Sequence, residues 1–313
     1  MIRTWVIGCG GLLGRSITRD LAKNKLWYFT PSTPFLWNDP TSLNRQLITQ
    51  IAQFFAQFNS GDQWQIIWVA GKSTMRSSDS TCLQETASLK DFLHNLGQAL
   101  KTQPYEGRFG FASTAGGIYT QTQDGFITES SATSPSTPYA EQKLLQEGLL
   151  KKWASDFSEC QKIIIGRFST LYGLHQDQSK KQGLISTITS CITQNQELSL
   201  FVPLETKRDY LWSDDAAQIF LWHLDHESPT TNESIRIIAQ EESISIAEML
   251  KQFQSITGKQ VKVSHSAELP KGIYPLEIHF KSKYPNNNPD FQKLSLREGI
   301  EKVLANLSRG HIQ

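Results

Sequence analysis

The chain opens with a short apolar strand, a glycine-rich turn and a helix, and this succession constrains its fold more than any other feature. Residues 2–7 are mostly apolar, and Gly8, Gly11 and Gly14 follow them at intervals of three. Apolar residues at helical spacing then continue to about Lys23. A tight turn of this kind needs residues without a Cβ, and the third glycine lets the helix pack closely on the strand.

Strands and helices alternate along the following residues. Apolar runs bounded by turn residues predict further strands, which are 26–29, 64–69, 109–112 and 162–167. Apolar residues at helical spacing predict helices, which are 41–58, 82–101 and 139–154. This alternation predicts an α/β fold with a doubly wound parallel sheet covered by helices on both faces.

The rhythm changes beyond Gly173, where a polar loop at 175–182 precedes shorter and more mixed elements. We expect residues 1–173 to form the large domain, to which the chain returns near 206–230. Residues 174–205 and 231–313 are expected to form a smaller mixed α/β lobe.

Composition limits the classes of function. With 313 residues and 38% hydrophobic content, the chain can bury a sizeable core. Its net charge of +1 does not indicate binding to nucleic acid or to a membrane surface. No apolar run is long enough to cross a bilayer, and the apolar stretch at the N-terminus is too short for a signal peptide. The four cysteines are widely spaced, and no histidine pair has metal-ligand spacing, so we expect a cytoplasmic protein without a metal.

The glycine turn has a chemical interpretation as well as a structural one. Where a strand turns into a helix, the helix N-terminus offers backbone N–H groups and a positive dipole end to a phosphate. The turn at Gly8, Gly11 and Gly14 therefore predicts binding of a dinucleotide. A plain strand-turn-helix corner is the alternative.

A second motif, Tyr139-x-x-x-Lys143, lies where a helix is expected to begin. Positions four apart project from the same face of a helix. A phenol titrates near pH 10, and a neighbouring positive charge favours its ionised form. Such a tyrosine can exchange a proton with a carbonyl or alcohol oxygen. A surface helix with an exposed tyrosine and lysine would show the same pattern.

Five blocks in order make the chain resemble the extended short-chain dehydrogenases/reductases of the nucleotide-sugar epimerase/dehydratase group. The blocks are Gly8 to Gly14, Val69–Ala70–Gly71, Ser113 to Tyr119, Tyr139 to Lys143, and Arg208 to Ala216. The resemblance implies a Rossmann-type domain that binds NAD(P), with a smaller lobe closing over a nucleotide-activated sugar.

The resemblance also implies catalytic roles. Tyr139 would be the acid/base, and Lys143 would hold the nicotinamide ribose and lower the pKa of the tyrosine. A third group, a hydroxyl, would hydrogen-bond the reacting oxygen. Its usual position is the apolar Ala115 here, so Thr114 is the first choice and Ser113 the second.

The same block argues against one reaction of the family. Family dehydratases carry an acidic pair directly after the hydroxyl residue, whereas this chain has Ala115, Gly116 and Gly117. Without those proton carriers, a 4,6-dehydratase is not expected. C4 epimerisation and reduction of a keto-sugar both need only hydride transfer and the tyrosine proton, and both remain open.

The identity of the cofactor is less constrained. The second strand ends in Phe29–Thr30–Pro31, without the acid that would bind the ribose of NAD, and Arg15 could reach a 2′-phosphate. NADP is therefore slightly favoured over NAD. The expected cofactor-binding residues are Gly8, Gly11, Leu12, Gly14, Arg15, Asp39, Ala70, Gly71 and Lys143.

Substrate binding is expected from the smaller lobe. Arg208 matches the family arginine that contacts the substrate diphosphate, and a guanidinium fork suits phosphate oxygens. An ion pair of Arg208 with Asp209 or Asp214 is the alternative. Phe201 could stack on the substrate base.

Two alternative functions and a possible homodimer also remain open. The chain could be a non-catalytic NAD(P)-binding regulator or scaffold, because the hydroxyl position is apolar and Glu85 replaces an asparagine that is frequent in the family. It could also act on a steroid or flavonoid-type carbonyl. A homodimer could form through helices 82–101 and 139–154.

Overall fold

The computed structural model describes residues 1–119, 125–156, 161–174, 176, 183–226, 233–265 and 275–310. In chain order, the strands are β1 (Ile2–Ile7), β2 (Tyr28–Phe29), β3 (Gln63–Trp68), β4 (Gly107–Thr114), β5 (Gln161–Phe168), β6 (Thr170–Tyr172), β7 (Leu198–Leu200), β8 (Lys207–Trp212), β9 (Glu233–Ile238), β10 (Ser243–Ser245) and β11 (Val263–His265). The helices are α1 (Leu12–Lys23), α2 (Pro40–Phe55), α3 (Asp79–Thr102), α4 (Ala115–Ile118), α5 (Pro138–Ser155), α6 (Leu184–Gln194), α7 (Ser213–His226), α8 (Ile246–Thr257) and α9 (Leu296–Gly310).

A six-stranded parallel sheet forms the centre of the molecule, with strand order β2-β1-β3-β4-β5-β9. Side chains alternate across the sheet, so neighbouring residues of β1 enter different cores. Trp5 packs with apolar residues of α2, α3 and α5 on one face, whereas Val6 packs with those of α1 and α7 on the other. The predicted doubly wound Rossmann-type fold is confirmed.

Two small sheets and three helices lie beyond the main sheet. β8 lies between β6 and β10, and β7 pairs with β11. Their apolar side chains form a third core with α6, α8 and α9, in which Ile188, Met249 and Phe253 are fully buried. These elements therefore share a buried apolar cluster that is separate from the two cores beside the main sheet.

The place of β9 differs from the expectation for residues 231–313. This strand belongs to the large sheet, where it pairs in parallel with β5 from Ile163 opposite Glu233 to Phe168 opposite Ile238. Ile237 and Ile238 are buried there. The pairing joins segments far apart in sequence, which a local apolar pattern does not reveal. The polar loop expected at 175–182 lies almost entirely outside the described residues.

Within the described residues, no helix combines the length and the apolar character that crossing a bilayer requires.

Candidate active site

A cleft of about 220 Å³ opens where the main strands end at their carboxyl edge. Ala70 and Gly71 follow β3, and Ser113 and Thr114 end β4. Parallel strands place their carboxyl ends at one edge of the sheet, which is the usual ligand-binding edge of this architecture. Three further lining side chains come from the helices packed on that edge, and these are Glu85 of α3 and Tyr139 and Lys143 of α5.

The glycine turn requires its glycines for packing. Gly8 has φ +99°, and a Cβ on it would lie 2.5 Å from the backbone nitrogen of Ala70. A Cβ on Gly14 would lie 2.8 Å from the Cα of Cys9 and closer still to the carbonyl oxygen of Gly8. Real Cβ atoms do not approach backbone so closely, so the turn holds α1 directly against β1 and the segment after β3.

The N-terminus of α1 fits a dinucleotide phosphate. Its N-cap is Gly11, no side chain caps it, and its first turn carries no acidic residue. A Cβ on Gly10 would meet no atom within 4 Å, so the space above the turn is open. Uncapped N–H groups with a positive dipole end bind anions. Leu12 is the first residue of α1, and Arg15 is exposed, with its Nε 2.9 Å from the carbonyl oxygen of Gly10.

Tyr139 lies in the first turn of α5, and the local sequence explains its place. Thr137 is the N-cap, whose Oγ1 accepts a hydrogen bond from the N–H of Ala140 at 3.3 Å, and Pro138 occupies the first helical position. Both residue types favour a helix start. The Thr114 hydroxyl lies beside the Tyr139 phenol, where hydrogen bonding from it lowers the pKa of the phenol. The structure therefore unites the first-choice hydroxyl with the tyrosine.

The pKa of Tyr139 is raised in this structure, whereas the sequence led us to expect that Lys143 lowers it. Burial raises the pKa of Tyr139 to about 12, the negative charge of Glu85 adds to the rise, and the Thr114 hydrogen bond only partly opposes it. A phenolate that loses its water is destabilised, whereas the neutral phenol is not. In this structure the phenol is therefore protonated at neutral pH.

Lys143 is almost completely buried one turn further along α5. Its Nζ donates a hydrogen bond to the carbonyl oxygen of Ala112 at 3.2 Å and lies 5.0 Å from the ring centroid of Phe111. Burial lowers the pKa of Lys143, while the charges of Glu85 and Glu147 oppose that shift. The Lys143 ammonium is thus held between β4 and the cleft by the carbonyl oxygen of Ala112 and the ring of Phe111.

Ser113 has a different partner from Thr114. Its Oγ donates to Oε1 of Glu147 at 2.6 Å, and Glu147 forms a buried ion pair with Arg167, Nη2 to Oε2 at 2.6 Å. Arg167 also donates to the hydroxyl of Tyr119. The Ser113 hydroxyl thereby completes a buried network that joins β4, α5 and β5.

Glu85 and Ser73 are among the lining residues of the cleft that were not predicted as site residues. Oε1 of Glu85 accepts the backbone N–H groups of Lys72 and Ser73 at 2.6 and 2.8 Å. The Oγ of Ser73 is buried in the cleft and has no hydrogen-bond partner among the described residues. Ser73 lies two residues after the Val69–Ala70–Gly71 block, and this nearness to a predicted binding segment could have indicated it from the sequence.

Besides the residues of the glycine turn, Asp39, Arg208 and Phe201 lie outside the lining of this cleft. Asp39 caps α2, where its Oδ1 accepts the N–H of Ser42 at 3.2 Å. Arg208 is on β8, and its Nη1 donates to the carbonyl oxygen of Lys207 at 2.7 Å. Phe201 follows β7, and the guanidinium of Arg76 lies 4.3 Å from its ring centroid.

The chain belongs to the NAD dependent epimerase/dehydratase family, whose pattern it matches over residues 4–237. This membership agrees with the resemblance inferred from the sequence blocks.

One curated relative is the dTDP-4-dehydro-6-deoxyglucose reductase of Escherichia coli, which is 27% identical over 191 residues. The match covers 60% of this chain and 56% of that enzyme, so it spans little more than half of the relative's length.

Solved structures share the fold over almost the whole chain. UDP-glucose 4-epimerase of Thermotoga maritima, solved with UDP-glucose, superposes with a TM-score of 0.78 at 18% identity, covering 99% of this chain and 100% of that one. RMD of Pseudomonas aeruginosa, complexed with NADPH, gives 0.76 at 16% identity and covers 98% of this chain and 99% of that one. At these identities the likeness concerns the fold.

Proposed function

We propose that this protein is an NAD(P)-dependent enzyme that transfers hydride at a carbonyl or hydroxyl carbon of a nucleotide-activated sugar, with Tyr139 as the acid/base. The observation that carries the proposal is the meeting of the Tyr139 phenol, the Thr114 hydroxyl and the Lys143 ammonium in one cleft. Family membership supports it.

The residues at one end of the cleft suit a dinucleotide cofactor. The open N-terminus of α1 and the turn at Gly8, Gly11 and Gly14 would hold the pyrophosphate, and Lys143 would hold the nicotinamide ribose. When bound, the cofactor accepts or donates the hydride, and its oxidised form adds a positive charge that favours the ionised phenol. The exposed Arg15 beside Gly10 slightly favours a 2′-phosphate, and hence NADP.

The protonated Tyr139 is suited to donate a proton to an oxygen that receives hydride on its carbon. In the opposite direction it must accept a proton, and the Thr114 hydrogen bond lowers its pKa towards that role. Elimination of water is not supported, because Ala115, Gly116 and Gly117 carry no acid or base. The supported reactions are therefore epimerisation and reduction of a keto-sugar.

Arg208 and Phe201 of the smaller lobe would bind the nucleotide diphosphate and the base. The two acids named as alternative partners of Arg208 each have a described contact. Asp209 accepts the N–H groups of Gln240 and Glu241 at 2.9 and 2.7 Å, and Asp214 pairs with Arg19 at 3.2 Å. The guanidinium fork of Arg208 suits the oxygens of a diphosphate.

The test replaces Tyr139 with phenylalanine. With UDP- and dTDP-sugars as substrates, we expect Tyr139→Phe to lower turnover by about 10²-fold or more, because the proton carrier is lost. Cofactor affinity should stay within about twofold, since the phenol makes no required phosphate contact. Tyr284→Phe, at an exposed tyrosine, is the control. Unchanged turnover in Tyr139→Phe would remove the proposed role.

A non-catalytic NAD(P)-binding protein is the second candidate, and the pKa of about 12 at Tyr139 is the observation that favours it. Such a protein would bind cofactor but show no hydride exchange with any sugar nucleotide of the panel. The buried ammonium of Lys143 beside the tyrosine favours the enzyme, because a binding protein has no need of this pair.

A further inference from the structure

Glu85 presents a fixed carboxylate to the cleft. Its Oε1 accepts hydrogen bonds from two successive backbone N–H groups, those of Lys72 and Ser73, which hold the side chain against the segment after β3. Its second oxygen, Oε2, lies beside Gly71, where it would be 3.2 Å from a Cβ added to that glycine. In the part of the chain that the structure describes, this second oxygen accepts no hydrogen bond.

The negative charge of Glu85 acts on Tyr139 and Lys143, the proposed catalytic groups of the cleft. It contributes to raising the pKa of Tyr139 and opposes the fall in the pKa of Lys143. Among the described residues Glu85 forms no ion pair: Lys72 directs its Nζ to Oδ1 of Asn38 at 3.0 Å, and Lys143 attracts the carboxylate only at longer range. A negative charge that is held in place and not paired therefore remains beside the groups that would surround the nicotinamide.

We propose that Glu85 makes this cleft prefer the oxidised nicotinamide cofactor over the reduced one. The oxidised ring carries a positive charge that the reduced ring lacks, whereas the two forms share their phosphates, riboses and adenine. A carboxylate in a partly desolvated cleft distinguishes the forms by that single charge. The inference rests on the cofactor placement in the proposed function.

The preference favours epimerisation over net reduction. With an oxidised cofactor bound, Tyr139 would take the proton of the sugar hydroxyl, and the cofactor would supply the acceptor for the hydride of that carbon. The same hydride and proton then return to the keto intermediate, the hydride to its opposite face, so no external oxidant or reductant is consumed. A net reductase, in contrast, must bind a fresh reduced cofactor in each cycle.

The test measures dissociation constants of NAD⁺, NADH, NADP⁺ and NADPH for the full-length protein by calorimetry and by competition with the fluorescent reduced forms. In Glu85→Gln, an amide oxygen can still accept the two backbone bonds while the charge is removed. We expect the preference for oxidised over reduced cofactor to fall about tenfold. Asp91→Asn, an exposed position of the same helix, should leave the ratio unchanged.

A second variant separates charge from hydrogen bonding. Glu85→Asp keeps the charge but shortens the side chain, so it should retain most of the oxidised preference even if it loosens residues 71–73. An equal ratio in wild type and Glu85→Gln, or a shift in Glu85→Asp as large as in Glu85→Gln, would overturn the inference and leave the proposed function standing. Failure of the wild type to bind any of the four cofactors would overturn both.

Discussion

The two neighbouring hydroxyl residues at the end of β4, Ser113 and Thr114, contact different groups. Thr114 lies beside the Tyr139 phenol, whereas Ser113 donates a hydrogen bond to the buried Glu147. Both residues line the cleft, but side chains at successive strand positions point to opposite sides, so the two hydroxyls meet different partners. The apolar Ala115 then begins α4, whose Gly117 N–H donates to Thr114 at 3.3 Å.

Replacing each hydroxyl should therefore have a different effect. Thr114→Val removes the hydrogen bond that lowers the pKa of Tyr139. That pKa should rise further, so the pH at which turnover changes should move upward, with turnover at neutral pH reduced about tenfold. The measurement is the pH dependence of kcat with a sugar nucleotide that the wild type converts.

Ser113→Ala is the matched control for Thr114→Val. It should destabilise the fold by about 1 kcal/mol, because Glu147 loses one of its buried donors, and it should leave the pH dependence of kcat in place. The opposite assignment, with Ser113→Ala shifting the pH profile and Thr114→Val leaving it unchanged, would transfer the catalytic hydroxyl to Ser113.

At the scale of elements, the strand-turn-helix unit at the N-terminus joins packing and binding. Gly8 and Gly14 are needed because backbone occupies the space of a side chain, while Gly10 and Gly11 leave the helix N-terminus open. The first pair determines how closely α1 lies on β1. The second pair determines what can approach the uncapped N–H groups.

Two alanine substitutions distinguish these roles by stability. Gly14→Ala forces a Cβ against the backbone of Gly8 and Cys9, so we expect the free energy of unfolding to fall by about 1–3 kcal/mol. Gly10→Ala meets no atom and should change it by less than about 0.5 kcal/mol. Urea unfolding followed by circular dichroism measures both, and equal losses would contradict the packing argument.

At the scale of the whole molecule, α3 and α5 pack together on one face of the sheet and also carry site residues. Thr86 donates a hydrogen bond to Gln142 at 2.8 Å, which ties the two helices. Each helix also exposes a leucine, Leu83 with 54% and Leu145 with 51% of its surface accessible. Exposed leucines on a helix pair are consistent with the predicted homodimer.

A charge on that face should separate the predicted dimer. We expect Leu83→Lys combined with Leu145→Lys to give a monomer in sedimentation velocity, because a lysine ammonium resists burial in an apolar interface. Leu276→Lys, at an equally exposed leucine elsewhere, should leave the assembly unchanged. A wild type that is already monomeric, or a double variant that still sediments as a dimer, would contradict this expectation.

Much of the fold follows from local sequence. Periodicity placed α3, α5 and β5 within a few residues of their observed bounds, since each buries its own apolar stripe or run. The glycine spacing indicated the first turn, and the Tyr139–Lys143 spacing put both side chains on one face of α5. These features depend on neighbours in the chain, which the sequence contains directly.

Only the tertiary structure decided where distant segments meet. β9 joined the large sheet through pairing with β5, and Glu85 of α3 came to share a cleft with Tyr139 and Lys143. The rise in the pKa of Tyr139 has the same origin, because burial depends on everything packed around the phenol. Spacing along one helix shows which charges are near, but the solvent that the fold excludes determines how strongly they act.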